Sequence, residues 1–147
     1  MLIKTKYHGE LEINPENIIT FEHGIPSFEE EKAFILLELD SSFFVLQSTT
    51  TPLVAFLLTS PFTFFPSYQV ELSDGVIEAL KIGNQEDVAV FGILTAREPF
   101  DETTINLKGP VVINSKEKLG KQIVLNDNSY NTRHLLFKQT SSVGEER

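Results

Sequence analysis

The sequence predicts a mostly β protein, built as a barrel or sandwich with one or two short helices. Short segments rich in β-branched and aromatic residues recur along the chain, and Gly, Pro, Asn and Asp separate them. The best helix candidate is a single stretch with capping residues at both ends. A length of 147 residues fits one domain that buries a substantial core.

The first half of the chain predicts a hairpin followed by four further strands. The apolar residues Leu2, Ile3, Leu11 and Ile13 flank a turn at residues 7–10, which is the pattern of an opening hairpin. Residues 14–17, Asn-Pro-Glu-Asn, form a second turn. The further strands are predicted over residues 18–21, 33–39, 43–48 and 53–58.

The middle of the chain holds an alternating segment and then the helix candidate. Residues 68–72 alternate between apolar and polar side chains, which is the pattern of a strand. Residues 73–82 predict a helix of about three turns. Ser73 or Asp74 can cap its N-terminus and Gly83 can end it. Its inner face is predicted to hold Val76, Ile77 and Leu80.

The last third of the chain predicts four strands and a tail. The strands are predicted over residues 88–95, 103–107, 111–114 and 121–125, the last of them returning antiparallel. Lys108-Gly109-Pro110 separates the second of these strands from the third. We expect residues 1–137 to form the domain and the polar residues 138–147 to form a flexible C-terminal tail.

Charge is distributed unevenly along the chain, whose formal net charge is −9. Residues 10–102 carry 17 acidic and 3 basic side chains, whereas residues 108–147 carry 4 acidic and 7 basic ones. One interpretation is a soluble acidic protein with solvated charges. The other is an acidic surface that attracts a basic partner and repels nucleic acid. We therefore predict no direct binding of DNA or RNA.

Composition favours an intracellular protein. The absence of cysteine excludes disulfides, thiolate metal sites and cysteine nucleophiles. The opening residues, MLIKTKYHGELEI, lack the apolar region of a signal peptide. No apolar run approaches the roughly 20 residues that span a bilayer. These observations predict a cytoplasmic location without membrane attachment.

The motifs of common enzyme classes are missing from the sequence. It contains no G-x-S-x-G elbow, H-E-x-x-H pair, P-loop or G-x-G-x-x-G turn. His8, His23 and His134 lack the spacing of metal ligands and are interpreted as surface or structural residues. We therefore predict no enzymatic activity, cofactor or metal. An active site assembled from distant residues is an open alternative.

Glu29, Glu30 and Glu31 form the densest run of carboxylates. Neighbouring exposed carboxylates are poor candidates for general acid–base catalysis, because identical environments do not make one of them a proton donor and another a proton acceptor. Their spacing does not match a calcium-binding loop. The run is therefore either a solvated acidic turn or short helix, or part of a surface that binds a basic protein.

Residues 61–68, Pro-Phe-Thr-Phe-Phe-Pro-Ser-Tyr, concentrate aromatic side chains between prolines. Because proline disfavours a central strand, the stretch is predicted to be an edge strand or a loop. Alternation would place Phe62 and Phe64 on one face and Phe65 on the other. The cluster is either core packing or an aromatic anchor at a protein interface. No basic residue lies nearby to support stacking on single-stranded nucleic acid.

Four segments taken together resemble one known family. Residues 21–28, Phe-Glu-His-Gly-Ile-Pro-Ser-Phe, are similar to an F-x-x-G-I-P-G-F signature and depart from it at Ser27, where glycine is usual. The other segments are residues 44–48 with 52–56, residue 61 with 65–68, and residues 106–114 with 120–125 and Tyr130. In this order and spacing, from Met1 to about Phe137, the set resembles the FliW family.

The resemblance implies a small β-barrel-like fold and two protein partners, flagellin and the RNA-binding regulator CsrA. In that family the protein is a flagellar assembly factor that sequesters CsrA and so relieves repression of flagellin translation. Newly made flagellin then competes for it, and the protein acts as a chaperone-like antagonist rather than an enzyme. A barrel module that holds a small ligand in an interior cavity is the alternative.

The candidate partner-binding residues fall into two groups. Flagellin termini form amphipathic helices in the filament, by family resemblance, and a hydrophobic groove would suit them. We expect Phe64, Phe65 and Tyr68 to form part of such a groove. The acidic candidates are Glu29, Glu30, Glu31 and Glu71. The chain is treated as a monomer.

Overall fold

The computed structural model describes residues 1–137, so the predicted tail at 138–147 lies outside the described residues. Within that range the chain forms ten strands, two α-helices and three 3₁₀ turns. The strands are β1 (Leu2–Lys4), β2 (Glu10–Glu12), β3 (Ile19–Thr20), β4 (Ala33–Glu38), β5 (Phe43–Ser48), β6 (Ala55–Thr59), β7 (Val88–Thr95), β8 (Thr104–Asn114), β9 (Leu119–Gln122) and β10 (His134–Leu135). The helices are α1 (Pro61–Phe64) and α2 (Asp74–Ala79), and the 3₁₀ turns cover Pro15–Asn17, Gln85–Asp87 and Phe100–Glu102.

Seven strands, β3 to β9, close into a barrel. Neighbouring strands from β3 to β9 pair antiparallel along the chain, and β9 closes the ring through a parallel bridge between Leu119 and Thr20 on β3. Strand β10 adds to β8, and β1 with β2 forms the predicted hairpin outside the ring. The predicted barrel fold with short helices is therefore confirmed.

Large apolar side chains fill the barrel. Residues from strands β3 to β8 contribute to one buried cluster, in which the edge-to-face pair of Phe21 and Phe34 has ring centroids 5.2 Å apart. A Cβ atom on Gly120 would collide with the Phe21 ring, so this glycine allows the ring to lie against β9. The buried members are Ile19, Phe21, Ile25, Phe34, Leu46, Leu58, Phe91, Val111 and Ile113.

The outer faces of the barrel carry two further apolar clusters. The helices and the chain after β9 cover β7 and β8, where Leu80, Val112 and Ile123 are buried. The hairpin covers β4 through Ile3 and Ile35. The outside of the barrel is therefore partly buried in two places, at β7 with β8 and at β4. This is why these strands carry apolar side chains on both faces. Within residues 1–137, no helix has the length and apolar character needed to cross a membrane.

The two strands predicted around Lys108-Gly109-Pro110 are one strand, β8, which contains a bulge. On β7, the paired residues Phe91 and Ile93 are two positions apart, whereas their partners on β8, Val111 and Asn106, are five positions apart. The Asn106 side chain accepts a hydrogen bond from the Gly109 amide at 2.8 Å and holds the bulge. The extra residues change which side chains of β8 point into the barrel. Before the bulge, Ile105 and Leu107 pack outside the barrel, whereas after it Val111 and Ile113 pack inside.

The predicted helix at 73–82 is shorter than expected. Ser73 caps α2 by accepting a hydrogen bond from the Val76 amide at 3.2 Å, as predicted. The helix ends at Ala79, and the left-handed residue that follows its C-cap is Lys81, with a φ of +53°, and not Gly83. The Ile82 amide then donates to the Ile77 carbonyl at 2.9 Å, which closes the C-terminus as a Schellman motif. Ile77 is consequently exposed rather than on the predicted inner face.

Candidate partner-binding surfaces

Residues 24–31, hereafter the acidic turn, fold into a tight loop. Gly24 and Ser27 have φ values of +66° and +73°, both in the left-handed region. The Phe28 amide donates to the Ile25 carbonyl at 2.6 Å and closes the turn. Glycine accepts left-handed backbone at the lowest cost, which explains why it is usual at position 27 of the signature.

The three carboxylates of the acidic turn lie in different environments. Glu31 accepts hydrogen bonds from the Ser48 hydroxyl at 2.6 Å and the Thr51 hydroxyl at 2.7 Å, and these bonds hold the pKa of its carboxyl below the usual value. Glu29 accepts from the Ser27 amide at 3.1 Å. The side chain of Glu30 is exposed and forms no hydrogen bond with the described part of the chain. Glu31 is thus a structural group, and Glu30 is the carboxylate most available to a partner.

One exposed apolar side chain, Phe28, lies within this turn and another, Leu53, lies beside it. Phe28 is 40% exposed and packs edge-to-face on Phe56 with ring centroids 5.2 Å apart. Leu53 is 77% exposed and belongs to the neighbouring turn, which the Thr51–Glu31 hydrogen bond ties to the acidic turn. The sequence did not single out either residue. The surface therefore combines apolar area with negative charge.

The first four residues of the aromatic stretch form helix α1, which the sequence did not predict, whereas residues 65–68 lie outside any helix or strand and agree with the predicted loop. Proline is favoured in the first helical turn, and Pro61 occupies it. The helical turn leaves Phe62 41% exposed, while Phe64 and Phe65 both contact the outer core. The predicted alternation of Phe62 and Phe64 against Phe65 is therefore wrong.

Phe64 and Tyr68 are held by contacts within the chain. Phe64 packs between Phe43 and Phe137, with ring centroids 6.2 and 5.9 Å away. The buried Tyr68 donates its hydroxyl to the Leu107 carbonyl at 2.6 Å, and burial raises the pKa of this phenol. Phe65 and Tyr68 nevertheless line a small cavity of about 240 Å³ together with Tyr130. Phe64, Phe65 and Tyr68 all belong to the outer core, and their part in partner binding remains a prediction.

A second, larger groove is lined by the residues that follow Tyr68 in the chain. It has a volume of about 590 Å³ and lies between residues 69–73 and residues 123–127, and we call it the lateral groove. Glu71 stands on one wall and Asp127 on the other. The Ser129 amide donates to the Asp127 carboxylate at 2.8 Å and lowers its pKa. The apolar lining of the lateral groove consists of Val70, Val76, Ile123, Val124 and Leu125.

Glu71 is the only sequence-predicted site residue that lines the lateral groove. The structure does not bring it together with the acidic turn in any cavity described for residues 1–137. The second wall, at residues 123–127, was predicted only as a strand end. Among the described residues, no group of three His, Asp or Glu side chains is arranged to hold a metal ion.

Comparison with known proteins identifies what the chain is similar to. A family model described as "FliW protein" matches residues 2–136. The flagellar assembly factor FliW of Geobacillus kaustophilus is 50% identical over 140 residues, which are 95% of this chain and 97% of the relative. That of Bacillus subtilis is 49% identical over 136 residues, covering 91% and 95%.

A solved structure agrees with these matches. The crystal structure of a flagellar assembly factor FliW superimposes with a TM-score of 0.92 at 48% identity. The match covers 96% of this chain and 100% of that one. Since both coverages are nearly complete, the similarity includes the barrel, the hairpin and the covering helices rather than one motif.

Proposed function

This chain belongs to the FliW family, and from that membership we propose that it is a flagellar assembly factor that works by binding flagellin and the regulator CsrA. When bound, it withdraws CsrA from flagellin mRNA and relieves the repression of translation. Flagellin then displaces CsrA and resets the switch. The site of action is the cytoplasm, where flagellin is synthesised.

The observation that carries this proposal is similarity over the whole domain to proteins named flagellar assembly factor. The acidic charge of the chain adds a physical argument. An acidic protein docked on an RNA-binding regulator repels phosphates even where it does not cover the RNA site. The small-ligand alternative requires an interior cavity, whereas Phe21, Phe34 and Leu46 occupy the barrel centre.

A switch between two partners requires negative coupling between their binding free energies. Overlapping sites are the simplest cause. The chain offers two surfaces with both apolar and acidic character, the acidic turn and the lateral groove, so two partners can also bind at separate places. Displacement measured at equilibrium distinguishes competition at one site from coupling between two.

Calorimetric titration of the protein with CsrA and, separately, with flagellin of the same organism tests the proposal. We expect binding to both and displacement of bound CsrA by flagellin. Absence of binding to either partner by a folded sample would leave the family and the fold without this function. Simultaneous binding of both partners with unchanged affinities would contradict the switch.

The electrostatic part is tested with the double variant Glu29→Lys/Glu30→Lys. Glu31 is left in place because its hydrogen bonds to Ser48 and Thr51 make it structural. We expect the variant to bind CsrA but to displace RNA from it less effectively, most clearly at low salt. Unchanged displacement of RNA would remove the acidic turn from the mechanism.

A further inference from the structure

Residues 68–72 have the side-chain pattern of a strand but belong to no strand of the structure. Tyr68 is buried, Val70 and Leu72 are half-buried, and Gln69 and Glu71 are exposed, so burial alternates with a period of two. The Gln69 amide donates to the Tyr130 hydroxyl at 3.3 Å. The backbone N–H and C=O groups of residues 70–72 form no hydrogen bond within the described part of the chain.

The opposite wall of the lateral groove follows the end of β9 and is hydrogen-bonded to β8 along one side only. The amides of Ile123 and Leu125 donate to the carbonyls of Pro110 and Lys108 on β8, at 3.0 and 2.8 Å. In a strand, successive amides point to opposite sides, so the amides of Val124 and Asn126 face away from β8. Neither of these two amides has a hydrogen-bond acceptor among residues 1–137.

Unpaired backbone on both walls is the feature that lets an additional strand join a sheet. The lining supplies matching side-chain contacts. Val124 is 71% exposed although it is apolar, and we call two of the less exposed apolar residues of the lining, Val76 and Ile123, the floor of the groove. A volume of about 590 Å³ lies within the range of sites that bury a ligand or a short peptide segment.

Charge decides which partner suits the groove. The segments 69–74 and 123–127 contain Glu71, Asp74 and Asp127 and no lysine or arginine. Lys108 adjoins the groove, because its ammonium donates to the Leu125 carbonyl at 3.0 Å and its charge helps to lower the pKa of Asp127. Carboxylates on both walls favour an occupant with basic side chains and oppose an acidic one.

We propose that the lateral groove binds an extended segment of a basic protein, which adds as a strand along its unpaired walls. Apolar side chains of the segment contact Val124 and the floor, and basic side chains meet Glu71 and Asp127. This proposal rests on the proposed function, and it assigns the groove to CsrA, because binding to RNA phosphates requires a cationic surface.

Amide hydrogen exchange of the wild-type protein, alone and with saturating CsrA, tests the strand addition directly. We expect fast exchange of residues 70–72, 124 and 126 in the free protein and strong protection of amides on at least one wall in the complex. Contact through side chains alone would leave these amides unprotected. Absence of protection in a complex that forms would therefore overturn the proposal.

A matched pair of double variants tests the side-chain contacts. Glu71→Lys/Val124→Lys alters the lateral groove, and Glu30→Lys/Leu53→Lys makes the same charge change and the same exposed apolar loss beside the acidic turn. We expect the first to raise the Kd for CsrA about tenfold or more and the second to change it about threefold or less. Circular dichroism and thermal unfolding verify that both variants remain folded.

The outcomes separate the two proposals. CsrA binding that the groove variant does not weaken would overturn the groove assignment and leave the proposed function standing. Protection of the groove by flagellin and not by CsrA would overturn the assignment to the basic partner. Failure of the wild type to bind CsrA at all would overturn both.

Discussion

The acidic turn and the lateral groove are both acidic and partly apolar, but they differ in how their own polar groups are satisfied. In the acidic turn, the Phe28 amide and the Glu31 carboxylate are engaged within the chain. In the lateral groove, the backbone of residues 70–72 has no partner among residues 1–137. The turn is therefore a preformed surface that offers side chains, whereas the groove offers backbone.

Because of this difference, substitutions in one region mainly change the free energy of unfolding, and substitutions in the other mainly change the affinity for a partner. Substitution of Gly24 or Glu31 in the acidic turn strains the backbone or removes internal hydrogen bonds, so it lowers the free energy of unfolding. Substitution of the exposed groove residues Glu71 and Val124 removes no side-chain hydrogen bond from residues 1–137 of the free protein. We expect the two regions to respond in opposite ways when stability and partner affinity are measured on the same variants.

The largest expected effect on stability is that of Gly24→Ala. A Cβ atom at this position would lie 2.6 Å from the Glu29 Cα atom, and φ is +66°. Backbone strain and the collision together are expected to lower the free energy of unfolding by about 3 kcal/mol or more. Urea denaturation followed by circular dichroism measures the change.

Gly9→Ala is the control for that variant. Gly9 has nearly the same φ, +67°, but a Cβ atom there meets nothing within 4 Å. We expect a loss of about 1 kcal/mol, which is the conformational cost alone. Equal losses in the two variants would show that the close approach of the backbone at Gly24 is unimportant.

Glu31→Gln is expected to cost about 1–2 kcal/mol at neutral pH, because two hydroxyls lose an ionised acceptor. The pKa of Glu31 is lowered in the folded state from its usual 4.5, so the ionised carboxyl stabilises the protein above that pH. The difference between wild type and variant should shrink as pH falls below 4.5 and through the folded pKa. Stability curves between pH 3 and pH 7, on the order of ten points, measure this.

Glu30→Gln is the matched control, since this carboxylate has no hydrogen bond with the described residues. Its expected change is within about 0.5 kcal/mol. A pH-dependent loss as large as that of Glu31→Gln would mean that long-range charge, and not the two hydroxyls, sets the stability of the turn.

Ser27→Gly is expected to raise the free energy of unfolding by about 0.5 kcal/mol. The substitution removes the steric cost of a residue with a Cβ atom at a φ of +73°. The greater conformational freedom of glycine in the unfolded chain offsets part of this gain in stability. Ser67→Gly, at an exposed position without positive φ, should instead destabilise by about 0.5 kcal/mol. The difference in urea midpoints between the two variants gives the sign, and two equal losses would contradict strain at position 27.

The smallest expected effect on stability is that of Glu71→Lys. Glu71 is exposed and its side chain has no hydrogen bond within residues 1–137, so the free energy of unfolding should change by less than about 0.5 kcal/mol. Thermal unfolding of the free protein measures it. A large loss would show that the groove wall supports the fold and is not set aside for a partner.

The sequence by itself determined the strand content, the family and much of the element order. Strands β5 and β7 have the bounds that their apolar runs predicted, because alternation and turn residues are local signals. It also located the interruption at Lys108-Gly109-Pro110. It did not show that the interruption is a bulge, since only pairing with β7 reveals that β8 continues.

Tertiary structure decided which candidate residues are available. Phe65 and Tyr68 resemble an exposed anchor in sequence, but the outer face of β7 and β8 buries them. Glu31 and Glu30 are adjacent and chemically identical, and only the position of Ser48 and Thr51 distinguishes them. Exposure and hydrogen-bond satisfaction depend on contacts between segments distant in sequence, and a local pattern carries no information about those contacts.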